Sequence, residues 1–201
     1  DIFGSRGLGD VYKRQPLMIA FTLTAFAGKI SVKEGTFTYD GKARPCLTVK
    51  VEEDKKTFMD AWKVHWKDKY KVKLAGKKSI LEAKDVEVMA ISDKRFNVIA
   101  VFEETGDETY LHLMISFGYD IFASKDNEAP TFERAEQVLY DFAVNHMTRK
   151  YEKAIAKTES ELTSLRKEKE KVSRENTELE QDIKEWQNKI AQAKQNIETN
   201  I

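Results

Sequence analysis

Residues 155–201 read IAKTESELTSLRKEKEKVSRENTELEQDIKEWQNKIAQAKQNIETNI, and the spacing of the apolar residues in this stretch decides the fold. With Ile155 as position a of a heptad, the a positions are Ile155, Leu162, Lys169, Asn176, Ile183, Ile190 and Ile197. The d positions are Thr158, Leu165, Val172, Leu179, Trp186, Ala193 and Asn200. No proline or glycine interrupts the run. A seven-residue apolar repeat held this long drives paired helices into a left-handed supercoil. The stretch is therefore predicted to be a coiled coil, about 70 Å long at an α-helical rise. Its Lys/Glu-rich outer faces read as a solvated exterior.

Three seam residues carry specificity. Lys169 and Asn176 occupy consecutive a positions, and a buried asparagine at a pairs with its counterpart across a parallel dimer, fixing register and number at some cost in stability. Trp186 at d is bulky for a two-stranded seam. In a parallel homodimer the flanking charges give Glu161 with Arg166, which attract, and Glu175 with Glu180 and Lys189 with Lys194, which repel. Each exposed pair is worth only a few tenths of a kcal/mol, roughly. The expected partner is a second copy of the chain or another helix meeting residues 155–201. A downstream segment folding back is the alternative expectation, because the pattern is still running at Ile201 without a C-cap.

Upstream, the helix has no evident start until Pro130-Thr131, a favoured helix opening. Phe132, Ala135, Leu139, Phe142 and His146 share one face. No breaker separates Phe142 from Ile155, so one helix is expected to run from the globular part into the coil. Met147, Tyr151 and Ile155 are spaced by four, a stutter that shifts the buried face.

Residues 28–148 are expected to form the globular domain and 149–201 the coiled-coil helix. Thr36 to Tyr39 leads into Asp40-Gly41, and Cys46 to Val51 alternates apolar and polar, which is a hairpin signal. Pro45 is expected at the strand's start. Glu53 and Asp54 offer caps for a helix ending near Tyr70. Its stripe of Phe58, Ala61, Trp62, His65, Trp66 and Tyr70 fits docking on a sheet better than an exposed stacking platform. Further strands are expected at Val72–Leu74, Ser79–Leu81, Val86–Ile91, Phe96–Phe102, Thr109–Phe117 and Tyr119–Phe122. The short turns Ser92-Asp93-Lys94 and Thr105-Gly106-Asp107 imply an antiparallel meander. The fold class is α+β: an antiparallel sheet with helices on one face, the last helix extended into a coiled coil.

The first residues belong to neither part. Ser5 to Gln15, SRGLGDVYKRQ, reads as the in-frame translation of a transposon-end sequencing adapter, so residues 1–15 are set aside as an artefact. Residues 16–27 read as the tail of a secretory signal. Leu17 to Ala27 is the apolar run, Ala25-Phe26-Ala27 is the cleavage context, and the implied location is periplasmic or secreted in a bacterium. The other reading makes Met18 to Phe26 a buried first strand.

Lys and Arg number 34 and Asp and Glu 34, giving a net charge of zero. Such balance argues against a nucleic-acid binder, which needs excess cations on one face. No apolar run reaches the roughly 18 residues of a membrane span. The lone Cys46 excludes an intramolecular disulfide and a cysteine-rich zinc site. His65, His112 and His146 lie on different elements without a metal-ligand spacing. Cys46 with His112 is a conceivable thiolate pair, but a strand cysteine more often packs inertly. Asp120 with Asp126, and Glu103 with Glu104, read as turn chemistry. No cofactor is expected. One charge asymmetry stands out: Lys63, Lys67, Lys71 and Lys73 form a candidate anionic-ligand patch beside the tryptophans, with a solvated helix edge as the plainer reading.

Leu47-Thr-Val-Lys-Val51, Ala61-Trp-Lys-Val-His-Trp-Lys-Asp68, Phe117-Gly-Tyr-Asp-Ile-Phe-Ala-Ser124 and Ala135 to Phe142 before the long charged helix resemble a group of uncharacterised exported proteins of Bacteroidota-type bacteria. The resemblance covers most of Gly28 to Ile201 and implies no activity and no site residues; it does imply that related chains continue further. The order of elements is also similar to TATA-binding-protein-like domains, a likeness that carries no function. The expectation is an exported, non-enzymatic interaction or scaffold protein. The alternative is a ligand- or glycan-binding head, enzymatic or not, tethered by the coil.

Overall fold

A computed structural model describes residues 30–199. The adapter-like stretch 1–15, the signal segment 16–27 and its alternative as a strand at Met18–Phe26 lie outside the described residues. The chain divides into two compact units, the first ending at Arg149 and the second beginning at Lys150.

The first unit opens with strands β1 (Val32–Tyr39) and β2 (Lys42–Val51), joined by Asp40-Gly41. Both turn residues have positive φ, 49° and 73°, as a tight turn matching strand twist requires. The hairpin is longer than its alternating core suggested. Pro45 lies inside β2, opposite Thr36. It is tolerated there because β5 pairs with β2 only from Leu47 onward, so no ladder bond is missing on that side.

Helix α1 (Lys55–Tyr70) starts where Asp54 accepts a hydrogen bond from the Thr57 N–H at 2.9 Å, satisfying one orphan donor of the first turn. It ends at Lys71, which turns left-handed at φ 59° and returns its N–H to the Trp66 carbonyl. Strands β3 (Ile80–Val86), β4 (Phe96–Thr105), β5 (Glu108–Gly118) and the short β6 (Ile121–Phe122) follow, then helix α2 (Ala129–Thr199). The sheet is antiparallel throughout, in the order β1-β2-β5-β4-β3, with β6 beside β5. This is α+β architecture, and the last helix continues without a break into the heptad region.

Three expected strands are corrected. Within Val86–Ile91 only Val86 is strand, the end of β3 opposite Phe96; beyond it the N–H groups of Ile91 and Ser92 both donate to the Val88 carbonyl, burying Val88 and Ile91 in a turn. Val72–Leu74 forms no strand: the Val72 N–H donates to the Trp66 carbonyl at the end of α1, and only the adjoining Ala75 bridges to Glu82. Gly76 follows at φ 151°, where a Cβ would lie 2.0 Å from the Ile80 carbonyl oxygen. Within Tyr119–Phe122, Tyr119 and Asp120 form a positive-φ turn and only Ile121–Phe122 pairs.

One sheet face carries the main core. Leu47, Val49, Val51, Leu111, Leu113, Phe96, Val98 and Phe102 are buried, as are Phe58, Trp62 and Trp66 of α1 and Phe132, Leu139 and Phe142 of α2. Helical spacing of four puts Phe58, Trp62 and Trp66 in one row. Phe142 lies 4.7 Å from the Trp62 ring and 5.4 Å from Phe58, within the range of favourable ring contacts.

The other face holds a smaller cluster of Cys46, Ile99, Val101, Met114 and Phe122, with Phe37 and Tyr39 packed against it. Tyr39 on β1 donates to Glu82 on β3 at 2.5 Å, although these strands are the two edges of the main sheet. Strands about 4.8 Å apart would hold those edges about 19 Å apart if the sheet were flat, beyond the joint reach of the two side chains. The sheet therefore rolls around the smaller cluster. Asp120 fastens the hairpin with Lys42 at 2.5 Å and Arg44 at 2.6 Å.

Truncating the row under both helices, Trp66→Ala, is expected to lower stability by about 3–5 kcal/mol. The check is the urea midpoint of the variant at unchanged m-value.

Candidate functional site

Two features of the described residues present themselves as sites: a groove in the first unit and the heptad seam in the second. The groove is a cavity of about 640 Å³ lined by His65, Asp68 and Lys69 of α1 and Phe142, Asn145, His146 and Arg149 of α2, among others. It exists because the α1 row turns inward and leaves the next residue over, His65, at the rim.

His65 is packed in aromatics. It stacks on Trp62 at 5.7 Å and lies 5.0 Å from Phe142. Its Nε2 has no hydrogen-bond partner among the described residues. Burial, reinforced by the charges of Lys69 and Arg149, pushes its pKa down to about 4. It is a neutral imidazole at physiological pH.

His146 is held differently. Its Nε2 meets the carboxylate of Glu53 at 2.5 Å, and the Glu53 side chain is 8% exposed. Glu53 is placed by its own backbone, whose carbonyl accepts from the Thr109 hydroxyl at 2.6 Å. The structure thus brings two of the three histidines to one groove, beside a buried carboxylate and two cations. Nothing in the sequence pairs residue 53 with residue 146; only the register of β2 against β5 and the docking of α2 do so.

His112 lies on the other sheet face. Its Nε2 donates to Glu103 at 3.3 Å, and its Nδ1 accepts from the Thr48 hydroxyl at 2.9 Å. That hydroxyl in turn stands 3.6 Å from the Cys46 sulfur. Thr48 therefore separates the cysteine from the imidazole. Cys46 is 1% exposed, and burial raises its pKa, so it is a protonated, packed thiol. Phe37 closes the arrangement by stacking on His112 at 4.4 Å. Among the described residues no group of three or more His, Cys, Asp or Glu side chains could hold a metal ion.

The lysine patch is spread over three settings. Lys63 and Lys67 are on α1, and Lys63 pairs with Asp60 at 3.0 Å. Lys71 ends the helix and donates to the Asp68 carbonyl at 2.8 Å. Lys73 lines a separate hollow beside β3. The cations that reach the groove are Lys69 and Arg149. Asp120 and Glu103 take structural partners, while Glu104 receives the Lys55 N–H at 3.4 Å.

In the second unit the seam is bare. Leu162, Leu165, Val172, Leu179, Ile183, Trp186, Ile190 and Ile197 are 42–63% exposed. Lys169 and Asn176 lie among them, also exposed. The outer face carries i,i+4 pairs, Lys157 with Glu161 and Lys171 with Glu175. Among the described residues no helix is long and apolar enough to cross a membrane. No protein-family model matches this sequence, and no curated protein or solved structure is significantly similar to it.

The histidines give a pH signature. His65 and His112 both have folded pKa values below the unfolded value of about 6.5. Below that pH the unfolded chain binds protons the folded chain refuses, so stability falls as pH drops from about 6.5 toward 4. Urea unfolding at pH 7.5 and 5 is expected to show this loss, and His65→Leu to reduce it.

Proposed function

We propose that the chain is an exported, non-enzymatic interaction protein whose globular head is carried on a self-associating coiled coil. The observation that carries this reading is the exposed seam. Eight large apolar side chains at heptad positions lie 42–63% exposed on one copy, and monomeric proteins rarely leave so continuous an apolar stripe in water. Beyond Ile155 every described side chain of α2 is exposed. Most helical stability comes from packing an apolar face rather than from propensity, so a helix of this kind requires a partner surface.

The non-enzymatic part is supported by the placement of the reactive groups. The candidate nucleophile, Cys46, is covered and protonated, and His112 is engaged at both nitrogens. Export is supported by the apolar run Leu17–Ala27 and its Ala-Phe-Ala ending. A second reading, with the head binding a small anionic ligand or acidic glycan, is favoured by the groove, where Lys69 and Arg149 stand beside two histidines. Its test is a titration of the head with a sulfated oligosaccharide, followed by the NMR signals of His65 and His146.

Sedimentation equilibrium of the chain is expected to show concentration-dependent association. Ile183→Asp is expected to leave a monomer with the head's near-ultraviolet circular dichroism intact and the far-ultraviolet helix signal reduced. A parent chain that stays monomeric at high micromolar concentration would sink the reading.

A further inference from the structure

Resting on that reading, we propose that the partner of the seam is a second copy of this chain running antiparallel, with the two-fold axis crossing between residues 177 and 178. In a parallel pair each a position meets itself and each d position meets itself. Lys169 would face a second Lys169, two Trp186 indoles would crowd one d layer, and two Ala193 methyls would leave the next d layer thin.

Antiparallel pairing matches a with d instead. Lys169 then meets the partner's Trp186, where its methylene stem covers the indole and its ammonium lies over the ring face. Leu162 meets the partner's Ala193, large against small. Ile183 meets the partner's Val172. The same alignment changes the flanking charges, since g now faces g and e faces e. Glu168 meets the partner's Lys189 and Glu159 meets the partner's Lys194, both attractive. Glu175 with the partner's Asp182 is the repulsive pair. Symmetry counts each pair twice, giving four attractions and two repulsions, against two attractions and four repulsions in the parallel arrangement. Such flanking pairs set helix orientation.

Asn176 is the one residue that favours the parallel form, through an Asn–Asn layer. In the antiparallel form it stands in the layer next to the axis, facing the partner's Leu179, and the two asparagines occupy neighbouring layers. That concession at one position is set against two like-charged Lys169 side chains, two stacked indoles and the charge pattern.

Electron–electron dipolar spectroscopy tests the orientation on the full chain. Cys46→Ser removes the native thiol, and Ser164→Cys or Gln192→Cys, both at exposed c positions, takes a nitroxide. In the antiparallel pair two Ser164→Cys labels lie about 40 Å apart along the axis, whereas a 1:1 mixture with Gln192→Cys adds a population separated only by the width of the coil. The reverse pattern, near for like labels and far for mixed ones, would overturn the antiparallel proposal while keeping self-association. Absence of any dipolar signal, with sedimentation as a monomer, would overturn both. As a second readout, Glu168→Lys is expected to weaken association several-fold and Glu168→Lys/Lys189→Glu to restore it; no effect of Glu168→Lys would count against the alignment.

Discussion

Phe142 ties α2 to α1 in the first unit by a set of ring contacts. It touches Phe58, Trp62 and His65 across α1 and stacks on His146 one turn along its own helix. The contact carries two costs. The Nε1 groups of Trp62 and Trp66 are buried without a partner among the described residues, and such donors oppose folding unless apolar burial outweighs them. Two fully buried indoles bring enough area to do so. The same packing fixes His65 at the rim as a neutral base and sets His146 against Glu53, so the groove is a by-product of the core.

The local grammar was readable because its signals are short-range. Asp40-Gly41 specifies its turn through φ, Asp54 its cap through a carboxylate three residues from an N–H, and the four-residue spacing of Phe58, Trp62 and Trp66 its buried face. The heptads from Ile155 needed no tertiary information. What escaped was decided at a distance. Val86–Ile91 has the composition of a strand, yet only Val86 pairs, after a bulge between Ala83 and Val86, and the chain then buries Val88 and Ile91 by folding into a turn. Cys46 and His112 each read as strand residues, but that their strands are neighbours, and that Thr48 stands between the two side chains, follows from register alone. Likewise the cations at the groove are Lys69 and Arg149 rather than Lys63, Lys67, Lys71 and Lys73, and Arg149 is brought there only by the docking of α2, which sequence spacing does not encode.

The two units rely on different physics. The first is stabilised by area removed from water inside one chain. The second leaves its apolar stripe exposed, so little area is removed from water within the chain itself. Under the self-association proposed above, stability of the second unit becomes a function of concentration as well as of sequence. Lys169, Asn176 and Trp186 are poor seam residues by apolarity alone. In the proposed pair their value is in discriminating between alignments that plain leucines would accept equally.

Rolling the sheet has a further effect on how the molecule avoids the wrong partners. An open β-sheet presents two rows of unpaired amides that invite strands from neighbouring molecules. Here the bond from Tyr39 to Glu82 draws the edges toward one another. The outer side of β3 is partly covered by Ala75, which exchanges two backbone hydrogen bonds with Glu82 at 2.7 and 2.8 Å, and β1 carries Lys33 and Glu34. A curved, charged and partly capped edge is a poor template for amyloid-like stacking, so strand addition does not compete with the helix-to-helix recognition proposed above.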